Sequence, residues 1–164
     1  WKRLRAAPLS RGAVLAGRVA SGALIALFIL AVSWAFCIVV FNARVNGSWP
    51  GFILCNISFA ILAACLGLFV AAVGKTPEAT RGIAIFVVLV LVMLGGAWVP
   101  AFIFPLWLQK ITLVIPTRWA VDAFDAMTWR GLGFQAAIAP SLVLLGYAAA
   151  FGLAARHFFK WDAE

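Results

Sequence analysis

The chain has 164 residues, carries a formal net charge of +8 and is 66% hydrophobic, with a mean hydropathy of +1.09. A soluble domain is closer to half apolar, so a water-soluble globule is excluded. The bases flank apolar runs and line no polar face, which argues against a nucleic-acid partner.

Uncharged runs cover 19–43, 45–74, 82–109 and 131–155. Each exceeds the roughly 20 residues that cross a hydrocarbon core as a helix. Lipid offers the backbone no hydrogen bonds, so these runs are expected to be helices. The alternating polarity of a membrane β-barrel is absent. The expected fold class is all-α: a polytopic membrane protein with four transmembrane helices plus an outer re-entrant or amphipathic helical region. With the N-terminal segment cytoplasmic, Lys2, Arg3, Arg5, Arg11, Arg18, Lys75, Arg81, Arg156 and Lys160 lie inside. Arg44, Lys110, Arg118 and Arg130 then lie outside. That asymmetry obeys the positive-inside rule and places both ends of the chain in the cytoplasm.

Residues 1–12 form a basic segment broken by Pro8. The chain begins at Trp1 without Met, as expected of a piece of a longer protein. The first span is expected at about 14–41, with Gly17, Ser21 and Gly22 permitting close helix contact. Residues 42–50 make a short outer turn, with Trp49 at the interface and Pro50 in the first turn of the next helix. The second span is expected at about 51–73. Its Asn56 and Ser58 are read as helix–helix hydrogen-bonding groups, with a pathway lining as the alternative.

Residues 74–82 read as a tight inner loop with one short helical turn. Gly74 suits a helix C-cap, Thr76 an N-cap and Pro77 the first helical position. Glu78 and Arg81 are spaced to pair. The third span is expected from about Ile83. It meets Gly95-Gly96, then Pro100, Pro105 and Pro116, a spacing that no continuous helix carries. The region is too apolar for a loop in water, so a helix that dips in and returns, or lies in the outer interface, is expected. Over 116–131, Arg118, Asp122 and Asp125 fall on one helical face. Ala120, Ala123, Phe124 and Met127 fall opposite, and Arg118 can pair with Asp122. This predicts an amphipathic helix at the outer surface, with Trp119 and Trp129 at the interface, ended by Gly131 and Gly133. The fourth span is expected at about 134–158.

Catalytic and metal chemistry find no support. Gly74-Lys75-Thr76 looks like the end of a phosphate-binding loop, but that loop needs a glycine where Phe69 stands, and a strand before it. Cys37, Cys55 and Cys65 match no metal spacing, and His157 has no partner ligand nearby in sequence. Asp122 and Asp125 read as solvated charges on an exposed face. No acid lies within a predicted span, which counts against an ion-coupled carrier and an intramembrane enzyme.

The order of features resembles the membrane subunit of type 2 ABC exporters, the permease family related to drug and polysaccharide exporters. The matching pieces are Ala7-Pro8-Leu9-Ser10-Arg11 before a span and Leu66-Gly67 within the next. Gly95-Gly96 through Pro100, Phe104-Pro105, and Pro116 to Phe124 closing at Arg130-Gly131 complete the set. The resemblance covers nearly the whole chain. It implies a six-span transmembrane domain, with residues 1–164 as its C-terminal four spans and the first two missing. It also implies two permease subunits, alike or different, paired with two cytoplasmic ATPase subunits in the bacterial inner membrane. The permease then does no chemistry, and holds no cofactor, because ATP and magnesium bind the partner.

By the same resemblance Arg3, Arg5, Pro8, Arg11, Lys75, Thr76, Pro77, Glu78 and Arg81 contact the ATPases. Gly95, Gly96, Pro100, Pro105, Pro116, Arg118, Trp119, Asp122 and Asp125 belong to an outer re-entrant gate. Gly67, Ala71, Gly146 and Ala150 are expected to permit close packing. The expected function is ATP-driven export of an amphipathic, drug-like or lipid-linked substrate. The alternatives are an ion-coupled carrier and a non-transporting membrane scaffold.

Overall fold

A computed structural model describes residues 11–158, with Arg11 described by its backbone alone. The described residues form six α-helices and no strand: α1 (Arg11–Phe41), α2 (Trp49–Val73), α3 (Pro77–Leu94), α4 (Leu106–Thr112), α5 (Pro116–Thr128) and α6 (Gln135–Phe158). A 3-10 turn at Ala101–Ile103 precedes α4. Among the described residues α1, α2, α3 and α6 are long and apolar enough to cross a membrane, as expected. Arg3, Arg5 and Pro8 lie outside the described residues.

Helix α2 is the centre of the fold. It packs most extensively on α6, then on α1. Two storeys of buried side chains join it to α5 and α6. One holds Phe52, Cys55, Ala123, Ala126, Met127 and Ala137. The other holds Leu62, Cys65, Ala120, Leu144 and Ala148. Trp34 of α1 closes the first storey, edge-on to Phe52 at 4.8 Å between ring centroids.

The short connections follow their capping chemistry. Ser48 Oγ accepts from Gly51 N at 3.3 Å, and Pro50 sits in the first turn of α2. Gly74 caps the other end, donating its N–H to Val70 O. Thr76 Oγ1 accepts from Ala79 N at 3.2 Å, and Pro77 opens α3. Here the structure corrects two expectations. No separate surface turn precedes α3; the helix runs unbroken from Pro77 to Leu94, so the connection shrinks to residues 74–76. Proline at the first helical position costs no hydrogen bond, and nothing afterwards breaks the ladder. Glu78 and Arg81 do not pair; among the described residues the ion pair that forms is Arg118–Asp122.

One packing expectation also changes. Asn56 and Ser58 make no helix–helix bond. Each donates to a carbonyl one turn back in α2, Asn56 to Phe52 O and Ser58 to Leu54 O, both at 2.8 Å. A carbonyl one turn back on the same helix is within reach of such a short polar side chain wherever it stands. Gly67, Ala71, Gly146 and Ala150, expected to permit close packing at a two-state interface, make no close contact within this chain; all four are exposed, and a Cβ at Gly67 or Gly146 would meet nothing within 4 Å. Within the chain the close approaches fall at Gly22, whose Cβ would lie 3.2 Å from that of Ala64, and at Gly47 and Gly51 against α5.

Candidate functional site

Residues 95–128 depart most from a plain helical bundle. Their three prolines each begin something: Pro100 precedes the 3-10 turn, Pro105 precedes α4, and Pro116 is the first residue of α5. A proline tolerates these positions because it has no N–H to lose there.

Helix α5 does not lie on the surface. Ala120 packs with Leu62 and Leu144, about 20 Å along α2 from Trp49. At its other end Met127 packs beside Phe52 and Ala137, at the Ser48 end of the bundle. The helix therefore runs from mid-bundle out to one end. The alanine face that the sequence predicts is buried as expected, but against two spans. Ala120, Ala123 and Ala126 have small side chains, and they let α5 approach more closely than a surface helix would.

That depth creates a problem for the turn 113–115. Non-helical backbone at membrane depth must find partners within the protein. Leu113 O accepts from the indole Nε1 of Trp119 at 2.8 Å. Val114 O accepts from the hydroxyl of Tyr147 at 2.6 Å, about 18 Å along α6 from Gln135. Ile115 N donates to Thr112 O at 2.9 Å. Trp119 is thus turned to the inserted turn and does not sit in an interfacial belt as expected, whereas Trp129 is 86% exposed.

The start of α5 is also fastened to α3. Thr117 Oγ1 donates to Leu91 O at 2.6 Å, a carbonyl that also accepts from Gly95 N at 2.9 Å. A Cβ on Gly95 would overlap Thr117. Gly96 has φ +85, a left-handed conformation that glycine adopts without strain. The Arg118 guanidinium lies beside this turn. Arg118 Nε is 2.9 Å from Asp122 Oδ2, with the side chains 17% and 44% exposed. The Nε–H is not aimed at the carboxylate, so the contact is an ion pair rather than a directed hydrogen bond. Burial pushes the Asp122 carboxyl above its ordinary value, against the pull of Arg118. Asp125 is exposed, as expected of a solvated charge.

At the Ser48 end, α5 is clamped by residues 42–48. Gly47 N donates to Met127 O at 2.8 Å, and Asn46 Nδ2 donates to Thr128 O at 3.0 Å. At the opposite end, Lys75, Thr76, Pro77, Glu78 and Arg81 are all exposed around the α2–α3 connection. Gly74 is required there, because a Cβ would collide with Thr80.

No metal-holding cluster exists among the described residues. The profile of the ABC-2 type transporter membrane family matches residues 1–129. The chain belongs to that family. It is 28% identical over 155 residues to the linearmycin resistance permease protein LnrN of Bacillus subtilis (strain 168), covering 91% of this chain and 38% of the relative. It is 26% identical over 146 residues to the inner membrane transport permease YhhJ of Escherichia coli (strain K12), covering 88% and 39%. The chain thus spans less than half the length of these relatives. No solved structure matches it. As an ABC-2 family chain with four membrane-length helices among its described residues, it is part of an integral membrane protein.

Sequence reasoning placed Gly95, Gly96, Pro100, Pro105, Pro116, Arg118, Trp119, Asp122 and Asp125 in one region, and the structure brings Gly96, Arg118 and Asp122 together. It missed Thr117 and Tyr147. Tyr147 was findable, because it is the single tyrosine of the chain and lies in an apolar span. A phenol in a membrane-length apolar helix needs a partner for its hydroxyl. Thr117 carries no such signal.

Proposed function

We propose that the chain forms the translocation half of an ATP-driven exporter and moves an amphipathic, drug-like or lipid-linked substrate. One observation carries the reading. Helix α3 is an unbroken strut, exposed at Pro77 and Glu78 at one end and bonded through Leu91 to the inserted helix α5 at the other. Such a strut can carry motion from a partner at the Gly74 end to the half-inserted segment.

In this reading the Gly74 end faces the cytoplasm of a bacterial inner-membrane protein. The basic segment with Arg3, Arg5, Pro8 and Arg11, together with Lys75, Thr76, Pro77, Glu78 and Arg81, meets two ATPase subunits. ATP and magnesium bind those subunits, and the permease performs no chemistry. Residues 95–128 close the outer exit, and the pathway lies between two permease subunits. The name of the Bacillus subtilis relative, a linearmycin resistance permease, supports expulsion of a toxic compound as the kind of work done.

The test is coupling. The full-length permease and its ATPase are reconstituted in vesicles, and ATP hydrolysis and export are measured together. Replacing Pro77 with Gly, or Glu78 with Lys, is expected to leave hydrolysis in place while export falls. Unchanged coupling in both variants overturns the role of this connection. A permease that purifies without an ATPase, and transports on an ion gradient, overturns the ATP-driven reading.

A further inference from the structure

A cavity at the Ser48 end of the bundle gathers hydrogen-bond donors that the fold leaves unused. Trp34 and Phe41 of α1, Asn42 and Arg44 of the following connection, and Thr128 and Trp129 at the end of α5 line it. Its frame is fixed. Ala43 N closes α1 on Cys37 O at 3.2 Å, with Asn42 in the left-handed conformation that ends many helices. Asn46 Nδ2 and Gly47 N then hold the connection on α5.

The chemistry of this lining calls for an anion. A guanidinium is always charged and offers only donors. Among the described residues Arg44 makes no ion pair: Asp122 is taken by Arg118, and Asp125 does not line the cavity. The indole hydrogen bond that forms among those residues is that of Trp119, and the asparagine bonds are those of Asn46 and Asn56. The indoles of Trp34 and Trp129 and the carboxamide of Asn42 are therefore left without partners. The lining carries a positive charge, no negative one, and further donors.

The cavity also stands where a membrane changes character. The membrane-length helix α1 ends at Phe41 and the polar connection begins, which is the level of the lipid headgroups. Phe41 and Trp129 are 71% and 86% exposed in the same lining as Arg44. A small aqueous anion would satisfy the guanidinium and leave both rings uncovered. An anion that carries acyl chains meets both, and the planar guanidinium fork matches phosphate. We propose that this cavity binds the phosphate of an anionic phospholipid, with Arg44 as its principal ligand and the acyl chains against Phe41 and Trp129. A zwitterionic lipid fits less well, because its ammonium group would meet a positive charge and no acid in the lining.

The inference requires only that the chain sits in a membrane, so its test uses the full-length permease without ATPase, ATP or any transported compound. The protein in detergent is titrated with phosphatidylglycerol, and lipid adducts are counted by native mass spectrometry, with phosphatidylcholine as the zwitterionic comparison. Arg44→Gln is expected to weaken the tightest phosphatidylglycerol adduct by about tenfold, as loss of a charge-assisted hydrogen bond does. Lys110→Gln removes the same charge from an exposed residue outside this lining, and is expected to leave the adduct unchanged. Equal affinity of the two variants for phosphatidylglycerol overturns the proposal. So does equal retention of phosphatidylglycerol and phosphatidylcholine by the unaltered protein. Displacement of the adduct by inorganic phosphate at the lipid's own concentration also overturns it, and would mark a site for a free anion.

Discussion

Helix α5 carries Arg118, Asp122 and Asp125, yet buries Pro116, Ala120, Ala123, Ala126 and Met127. Helix α3 is Ile, Val, Leu and Phe over most of its length, yet buries nothing. In water the order would be reversed. In a membrane, apolar surface gains little by leaving lipid, so helix contact is decided by small residues and by polar atoms that need partners. Helix α5 has both: an alanine face, and a turn whose carbonyls require Trp119 and Tyr147. Helix α3 has neither along its body, and its fastening to this chain is concentrated at Leu91, Gly95 and Thr117.

The contrast can be broken most severely at Met127, which is fully buried. Met127→Ala is expected to cost about 2–5 kcal/mol through the cavity it leaves. Val88→Ala on the exposed face of α3 is expected to stay within about 0.5 kcal/mol. Thermal unfolding of both variants in the same detergent checks the pair, and equal losses would erase the distinction between the helices.

Tyr147→Phe comes next. It keeps the ring and removes the donor to Val114 O, leaving an unsatisfied carbonyl at depth, at a cost of about 1–3 kcal/mol. Hydrogen exchange is expected to rise over residues 112–119 and to stay unchanged in α3.

The ion pair sharpens the comparison differently. Asp122→Ala leaves the Arg118 guanidinium without its counter-charge and is expected to destabilise by about 1 kcal/mol, discounted because Asp122 is partly exposed. Replacing Arg118 with Met as well is expected to recover part of that loss, measured as a double-mutant cycle. Simple additivity would mean that the two charges do not interact.

Thr117→Val should have a small effect on stability, about 0.5–1.5 kcal/mol, because Leu91 O retains its bond from Gly95 N. Its effect should be larger on geometry. Spin labels placed on α3 and α5 are expected to report a broader distance distribution. An unchanged distribution would show that the two helices are held by something other than this bond.

Much of this was legible in one dimension. The extents of α1, α2, α5 and α6 follow from where charge and proline interrupt apolar runs. The caps at Gly74, Thr76 and Pro77 follow from local backbone chemistry, and Arg118 and Asp122 pair because they are one turn apart. The errors share a cause. Glu78 and Arg81 read as an inner loop and put the start of the third span near Ile83, but charges on the first turn of a helix do not end it. Trp119 was placed in an interface by its type, although an indole N–H goes to whichever carbonyl most needs it. Asn56 and Ser58 were assigned to neighbouring helices, although their nearest acceptors lie in their own.

The sequence by itself determined that this is a helical membrane protein, how many membrane-length helices it has, and that a short polar helix lies between the last two. Those properties depend on segment length and on near neighbours. Only the tertiary structure decided that the polar helix is inserted, which carbonyls hold it there, and that α3 buries none of its residues against α2. Those depend on which side chains meet across large sequence separations, as Tyr147 meets Val114 and Thr117 meets Leu91. In a membrane no apolar pattern encodes such meetings, because lipid satisfies an apolar face as well as protein does.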